Sequence, residues 1–476
     1  MINNESSSIV ILGASGNLAL TKLLPSLYIL FTSGALPHNF VISGYSRTSM
    51  SNNEYRELVK DNLKNSIDET LWVEGFLQEF LNTIHYYSGE YNSVDNFIEF
   101  HRVLDSISKD FPSQPNVLYY LSIPPSVFEP VINSLRECGA VNKGDLSTSV
   151  IVEKPFGYDT ESARTLGKTL DQTFDESQVY RIDHYLGKEA IMNLMVMRFA
   201  NLIFEPVWNR NYIDSVTVAW EEDKNIGSRG GYFDGAGIIR DVIQNHLLQI
   251  LALVAMEKPS SYDSESIMAE KNKAVKSIEK ITLENCILGQ YTHGVCGGKP
   301  VVGYTDEESV PSGSKRETFA KIKCAINNYR WSGVPFYLQA GKALTKSTTE
   351  IIIQFKEVPG DIFLSPHHPN KMVIEVQPDA GLKFFITNKV PGKGMVLKDV
   401  ALDFSYVDGF NKTMPGAYER LLLDAIQGDK TLFIGYEELI HSWEIFTPIL
   451  EKIDSGKADV FYYHAGTYGP EEANRI

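Results

Sequence analysis

The stretch Arg181-Ile182-Asp183-His184-Tyr185-Leu186-Gly187-Lys188-Glu189 puts a carboxylate, an imidazole and an ammonium close together in the chain. In extended backbone Asp183 and His184 face opposite ways, so each serves a different neighbour. Gly187-Lys188 opens a helical pattern through Met192 and Met195. A helix N-terminus beside His184 and Lys188 would concentrate positive charge on one dianion, such as a phosphate; a charged helix start beside a core-edge histidine is the plainer reading. A second group is Arg240-Asp241-Val242-Ile243-Gln244-Asn245-His246-Leu247-Leu248-Gln249. At about 100° per residue His246 lies beside Val242 and Ile243 on an apolar face, while Asp241 and Asn245 share a polar stripe. Such a histidine is most often a packed core residue, yet an imidazole in apolar surroundings near a carboxylate also has the pKa and orientation of a general base. Asp183 is the candidate to orient it, since it needs a buried partner and faces away from the phosphate cluster.

A third group begins at the N-terminal end. The strand-like run Ser8–Leu12 is followed by Gly13-Ala14-Ser15-Gly16-Asn17-Leu18-Ala19 and by a helical pattern through Leu23, Leu24 and Leu27. Small residues there let backbone approach a pyrophosphate at a helix N-terminus, although G-x-x-G also serves as a plain tight connection. The second strand ends Ser43-Gly44-Tyr45-Ser46-Arg47-Thr48. NAD-preferring folds carry an acidic residue at that place, whereas arginine grips a 2′-phosphate, so the reading favours NADP over a merely solvated Arg47. Val152-Glu153-Lys154-Pro155-Phe156-Gly157 closes another strand, where open parallel sheets place ligands or simply turn. Pro155 restricts Lys154 to an extended conformation.

These groups need a scaffold, and the chain is long enough to build one from two or three domains. Its first part alternates strand and helix: Ser8–Leu12, a helix to about Phe31, Phe40–Ser43, two polar helices, Val117–Ser122, Ser149–Val152 and a helix from Glu161 to Phe174. That is the grammar of a doubly wound parallel sheet, a Rossmann-like unit placed at residues 1–179. Residues 180–476 read as a larger α+β domain with a mainly antiparallel sheet. Its expected elements are helices at Ile238–Met256 and Ser264–Ser277, strands at Ile351–Phe355, Lys371–Val376 and Leu382–Thr387, and closing helices near Tyr418–Gln427 and Tyr436–Ile453. Asp306–Ser314 reads as a surface loop.

The net charge of −16, from 44 basic and 60 acidic residues, disfavours nucleic-acid and membrane-surface partners. Four spaced cysteines without a C-x-x-C pair argue against a disulfide framework or zinc site and point to a reducing compartment. The N-terminus lacks a basic region before its apolar run, and the longest apolar stretch, Leu247–Met256, is too short to span a bilayer. A cytoplasmic setting is expected.

Taken together these motifs resemble the NADP-dependent glucose-6-phosphate dehydrogenase family. The likeness runs essentially end to end and includes Gly13–Ala19, Leu121–Pro125, Glu153–Gly157, Arg181–Glu189, Gly230–Asp234, Arg240–Gln249, Met256–Pro259, Pro335–Leu344 and Tyr418–Leu423. The resemblance implies that His246 takes the C1 hydroxyl proton of glucose 6-phosphate with Asp183 orienting its ring, while hydride leaves C1 for the nicotinamide and a lactone forms. It makes His184 and Lys188 ligands of the 6-phosphate, with Lys342, Gln377 and Lys346 further substrate-side groups. It gives Glu222 and Asp241 to sugar hydroxyls, and sets Lys154 between substrate and cofactor. Gly13, Ala14, Ser15, Gly16, Asn17, Leu18, Ala19, Leu20 and Arg47 form the expected cofactor set.

The chain departs from the family at Asn17, where Asp is usual, at Leu20, where Lys is frequent, and at Ser347, where a second basic residue is usual one place after Lys346. No metal is expected, because a base and a hydride acceptor suffice. The resemblance suggests a homodimer or homotetramer. The short stretch after Gly469-Pro470 gives no expectation of the second, structural NADP that a longer tail helps to hold in animal enzymes. Two other readings remain at this point: a silent sugar-phosphate or NADP sensor, and a related oxidoreductase acting on an unphosphorylated sugar.

Overall fold

Ile9 to Leu12 is an apolar run without polar alternation, the pattern of a strand covered on both faces, and all four side chains are fully buried. In the computed structural model, which describes residues 6–363, 366–392, 394–410 and 414–476, they lie in β1 (Ser6–Leu12). With β2 (Asn39–Ser46), β3 (Ile84–Ser88), β4 (Asn116–Leu121), β5 (Thr148–Val152) and β6 (Val179–Arg181) it forms a parallel sheet in the order β3-β2-β1-β4-β5-β6. The order reverses between β1 and β4, which opens the ligand crevice of such sheets. The flanking helices carry their own start signals. Ser51 and Glu54 form a capping box at Asn52–Ser66, and Asp159 with Ser162 does the same at Thr160–Asp171. The expected division at 179/180 passes inside β6, which pairs with β5 through Val179, Tyr180 and Arg181.

The rest of the chain builds a second sheet from β7 (Ile213–Glu221), β8 (Cys286–Thr292), β11 (Phe319–Ala325), β12 (Pro335–Gly341), β13 (Thr348–Phe355), β14 (Lys371–Gln377), β15 (Gly381–Lys389), β16 (Leu397–Ser405) and β17 (Val460–His464). Two short strands, β9 (Gly294–Cys296) and β10 (Lys299–Val301), pair separately. The nine-stranded order is β16-β15-β14-β13-β7-β12-β11-β8-β17. It is mainly antiparallel, as expected, with parallel junctions at β7–β12 and β8–β17. The parallel junction matters, because it brings the C-terminal ends of β7 and β12 to one edge.

Against β7 and β12 of the second sheet packs a helical segment from Gly227 to Ala255. By length and composition it could cross a membrane, but 83% of its apolar window is buried inside the protein, where it serves as a core helix. The expected single α-helix over 238–256 is a composite. An α-helix at Gly230–Ile238 kinks at Gly237 (φ 73°), a π-helix spans Ile239–Leu247, and α-helix resumes at Leu248–Ala255. Asp306–Ser314 is likewise more than a surface loop: Glu307 within it is buried and accepts hydrogen bonds from Asn225 and Tyr291, both at 2.7 Å. All four cysteines are free.

Candidate active site

The π-helix sets the chemistry. Its i→i+5 register puts Asp241 and His246 on the same face one turn apart, where a 3.6-residue period had separated them. The extended residues after β6 bring Asp183 to this face, and its Oδ1 lies 2.6 Å from His246 Nδ1. Asp183 Oδ1 also accepts the Tyr185 N–H at 2.9 Å, which fixes the carboxylate in turn. On the other edge of the ring, Lys154 Nζ stands 2.8 Å from His246 Nε2, 2.9 Å from the Asp241 carbonyl and 3.6 Å from its carboxylate. A donor at Nε2 and a carboxylate at Nδ1 define one tautomer, with the proton on Nδ1 and the lone pair on Nε2.

Electrostatics keep this arrangement ready to accept a proton. Burial pushes His246 below the usual histidine value and Lys154 adds to that, while Asp183 and Asp241 oppose it. For Asp183 burial would raise the carboxyl, but His246, His184 and the Tyr185 N–H hold it well below the carboxylate range. Asp241 is alike: burial raises it, and Lys154, Lys342, Arg229 and His246 together win.

His184 packs edge-on against His246 with centroids 4.6 Å apart, and burial together with His246 lowers its pKa to about 3, so its imidazole is neutral. Lys188, the N-cap residue of the helix Glu189–Ala200, lies beside Gln377, donating to Oε1 at 2.8 Å. Its ammonium also sits 5.0 Å over the Tyr185 ring, and burial lowers its pKa. At the joined ends of β7 and β12, Lys342 donates to Glu222 at 2.5 Å and lies 4.7 Å over Trp220. The structure thus gathers Asp183, His184, Lys188, Gln377, Lys154, Asp241 and His246 into one cluster of contacts, which Tyr185 and Trp220 continue to Lys342 and Glu222. Lys346 is engaged elsewhere, with its Nζ 2.8 Å from Glu350.

Tyr185 was not singled out from the sequence, although an aromatic between His184 and Lys188 was a visible signal. Its hydroxyl accepts from Trp220 at 2.7 Å and from Gln377 at 3.2 Å, and its ring lies 4.6 Å from that of His246.

The glycine turn fits a dinucleotide. Gly13 has φ 92°, and a Cβ there would lie 2.1 Å from the Ser122 carbonyl oxygen, so only glycine brings β1 this close to the β4 end. Its N–H and that of Ala14 are bonded to the Tyr45 carbonyl, and those of Gly16 and Leu20 to Gly13 and Gly16. Ala14, Ala19 and Leu20 are buried, so what they can present to a cofactor is backbone. Ser15, Gly16, Asn17 and Leu18 lie nearer the surface. Ser15 Oγ joins Ser46 (2.7 Å) and Thr48 (3.1 Å) at the end of β2, where Arg47 is exposed over the Tyr91 ring at 5.5 Å. The hydroxyls and the guanidinium at the strand end are a donor set for a phosphate.

Residues 10–193 match the family model described as glucose-6-phosphate dehydrogenase, NAD binding domain, and residues 195–476 the model for its C-terminal domain. The chloroplastic glucose-6-phosphate 1-dehydrogenase 1 of Arabidopsis thaliana is 45% identical over 475 residues, covering 98% of this chain and 82% of the relative. The cytoplasmic isoform 6 of the same plant is 44% identical over 478 residues, covering 98% and 90%. A solved glucose-6-phosphate dehydrogenase in complex with its substrate glucose-6-phosphate superposes with a TM-score of 0.92 at 37% identity, covering 100% of this chain and 98% of that one. The chain belongs to the glucose-6-phosphate dehydrogenase family.

Proposed function

We propose that this protein oxidises D-glucose 6-phosphate at C1 to 6-phospho-D-glucono-1,5-lactone with NADP as the acceptor. The observation that carries the reading is the line Asp183–His246–Lys154, set against His184 and Lys188. Asp183 keeps the proton on Nδ1, so Nε2 holds the free lone pair. In the substrate-free site that lone pair takes a hydrogen from Lys154; a C1 hydroxyl in its place gives Nε2 its proton. Lys154, still held by Asp241, faces the oxygen that loses the proton and stabilises the charge developing there. A bound nicotinamide dinucleotide supplies the acceptor for the hydride leaving C1. Asp241 and Glu222 accept from sugar hydroxyls, and Lys342 fixes the Glu222 carboxylate.

A phosphorylated sugar is favoured over a plain one by the partner of Lys188. Its ammonium is bonded to a neutral amide, Gln377, which an incoming phosphate displaces without separating an ion pair. NADP over NAD rests on Arg47 and the hydroxyls of Ser15, Ser46 and Thr48. Self-association belongs to the same reading, as a homodimer or homotetramer: β16 exposes Val400, Leu402 and Phe404 along one face. So does a cytoplasmic setting, supported by the free cysteines; the relatives include forms named cytoplasmic and chloroplastic.

Initial rates with glucose 6-phosphate and glucose, each against NADP and NAD, test the proposal. Turnover is expected with the phosphorylated sugar and NADP; equal rates with both sugars would overturn it.

A further inference from the structure

The cluster has Lys188 at one end and Lys342 with Glu222 at the other, and the contacts between them pass through one side chain. Trp220 lies near the end of β7, half-buried, on the face that carries the buried Val216 and Val218. At its edge, the indole Nε1–H donates to the Tyr185 hydroxyl at 2.7 Å. On its face, the Lys342 ammonium sits 4.7 Å from the ring centroid. Each contact leads on to a charged group. The Tyr185 hydroxyl also accepts from Gln377 Nε2 at 3.2 Å, and Gln377 Oε1 accepts from Lys188, whose ammonium lies 5.0 Å over the Tyr185 ring. Lys342, itself buried, donates to Glu222 at 2.5 Å.

We propose that Trp220 is a positioning residue that sets the span between the phosphate end and the hydroxyl end of the substrate site, its N–H fixing Tyr185 under Lys188 and its ring face fixing Lys342 beside Glu222. The inference rests on the functional reading above. The partners of the Tyr185 hydroxyl differ in what they can hold. Gln377 is the group that a phosphate displaces from Lys188, so its amide is not a fixed donor once substrate arrives. Thr349 Oγ1 is 3.4 Å from the hydroxyl, a distant partner. Trp220 makes the shortest of the three contacts and is carried on a strand paired on both sides, to β12 and to β13, so its N–H keeps its place. The same rigidity serves Lys342. A long, flexible side chain is held in one geometry by the indole face beneath its ammonium, a contact that strengthens where water is excluded.

The edge and the face of Trp220 can be separated by mutation. Trp220→Phe keeps an aromatic face beneath Lys342 and removes the N–H. KM for glucose 6-phosphate is expected to rise about fivefold, the worth of one neutral hydrogen bond, with kcat within about twofold of wild type. Trp220→Leu removes the face as well, and KM is expected to rise about fivefold further. If the N–H acts through Tyr185, Trp220→Phe made in a Tyr185→Phe background changes KM by less than about twofold. Unchanged KM in Trp220→Phe, the same rise in both backgrounds, equal KM in the Phe and Leu variants, or a fall of kcat matching the rise of KM would each overturn the proposal. Should Trp220→Leu not fold, Trp220→Phe and the double-mutant comparison decide it. Wild-type turnover of glucose 6-phosphate in the same assay tests the functional reading separately.

Discussion

Lys154 Nζ and Asp183 Oδ1 contact opposite edges of the His246 ring, at 2.8 and 2.6 Å. The imidazole therefore has a cation at the nitrogen that must receive a proton and an anion at the nitrogen that keeps one. Burial first, and Lys154 after it, hold the ring below the ordinary value of 6.5. Because the neutral ring is the base, kcat/KM is expected to stay level through neutral pH and to fall only below that value. Lys154→Met removes a cation that disfavours protonation, so the acid limb moves to higher pH. Asp183→Asn removes an anion that favours protonation, so the limb moves to lower pH. Profiles of log kcat/KM against pH for the three proteins check this, and shifts in the same direction would remove His246 from its role.

Loss of the base itself is a separate measurement. His246→Asn keeps a polar side chain on the π-helix but has no imidazole nitrogen at the Nε2 position. General-base catalysis is worth about 10²–10⁴-fold, so kcat is expected to drop by about that factor. Binding of the sugar phosphate, read by calorimetry, should remain, because His184 and Lys188 are untouched.

The phosphate end responds differently. Lys188→Gln removes the ammonium that now rests on Gln377. One charge-assisted hydrogen bond is worth about 1.5–3 kcal/mol, so KM for glucose 6-phosphate is expected to rise about 10- to 100-fold while kcat changes little. Residual turnover of unphosphorylated glucose should be unaffected, and a parallel loss on both sugars would speak for a structural defect.

Much of this site was legible because single residue types carry it. An ionisable pair such as Asp183 and His246 needs a buried partner wherever the chain takes it, and Gly13 declares a close approach by having no Cβ. The contact of Lys154 with His246 was not legible. It depends on the π-helical register, which adds a residue to the turn between Asp241 and His246 and leaves no mark in the apolar pattern. Lys346 enters the substrate set only through the resemblance, one position before the family's usual basic residue, and its Nζ pairs with Glu350 of β13. The fold shows the same division. Buried β1 announces itself by an unbroken apolar run, but β16 is exposed along most of its length and has no burial pattern to read. Its place is fixed by pairing with β15, a tertiary fact.

Cofactor preference depends on the end of β2. Arg47 is exposed there, with its guanidinium over the Tyr91 ring, and Ser15, Ser46 and Thr48 cluster their hydroxyls beside it. NADP differs from NAD by one phosphate on the adenosine ribose, so a residue that grips this phosphate changes one cofactor's affinity and spares the other's. Arg47→Ala is expected to raise KM for NADP about tenfold or more, the worth of an arginine–phosphate contact, with KM for NAD within about twofold. Far-ultraviolet circular dichroism and Tm should match wild type, because the side chain is solvent-facing. Equal loss with both cofactors would place Arg47 outside 2′-phosphate recognition and leave the hydroxyl cluster to account for any preference.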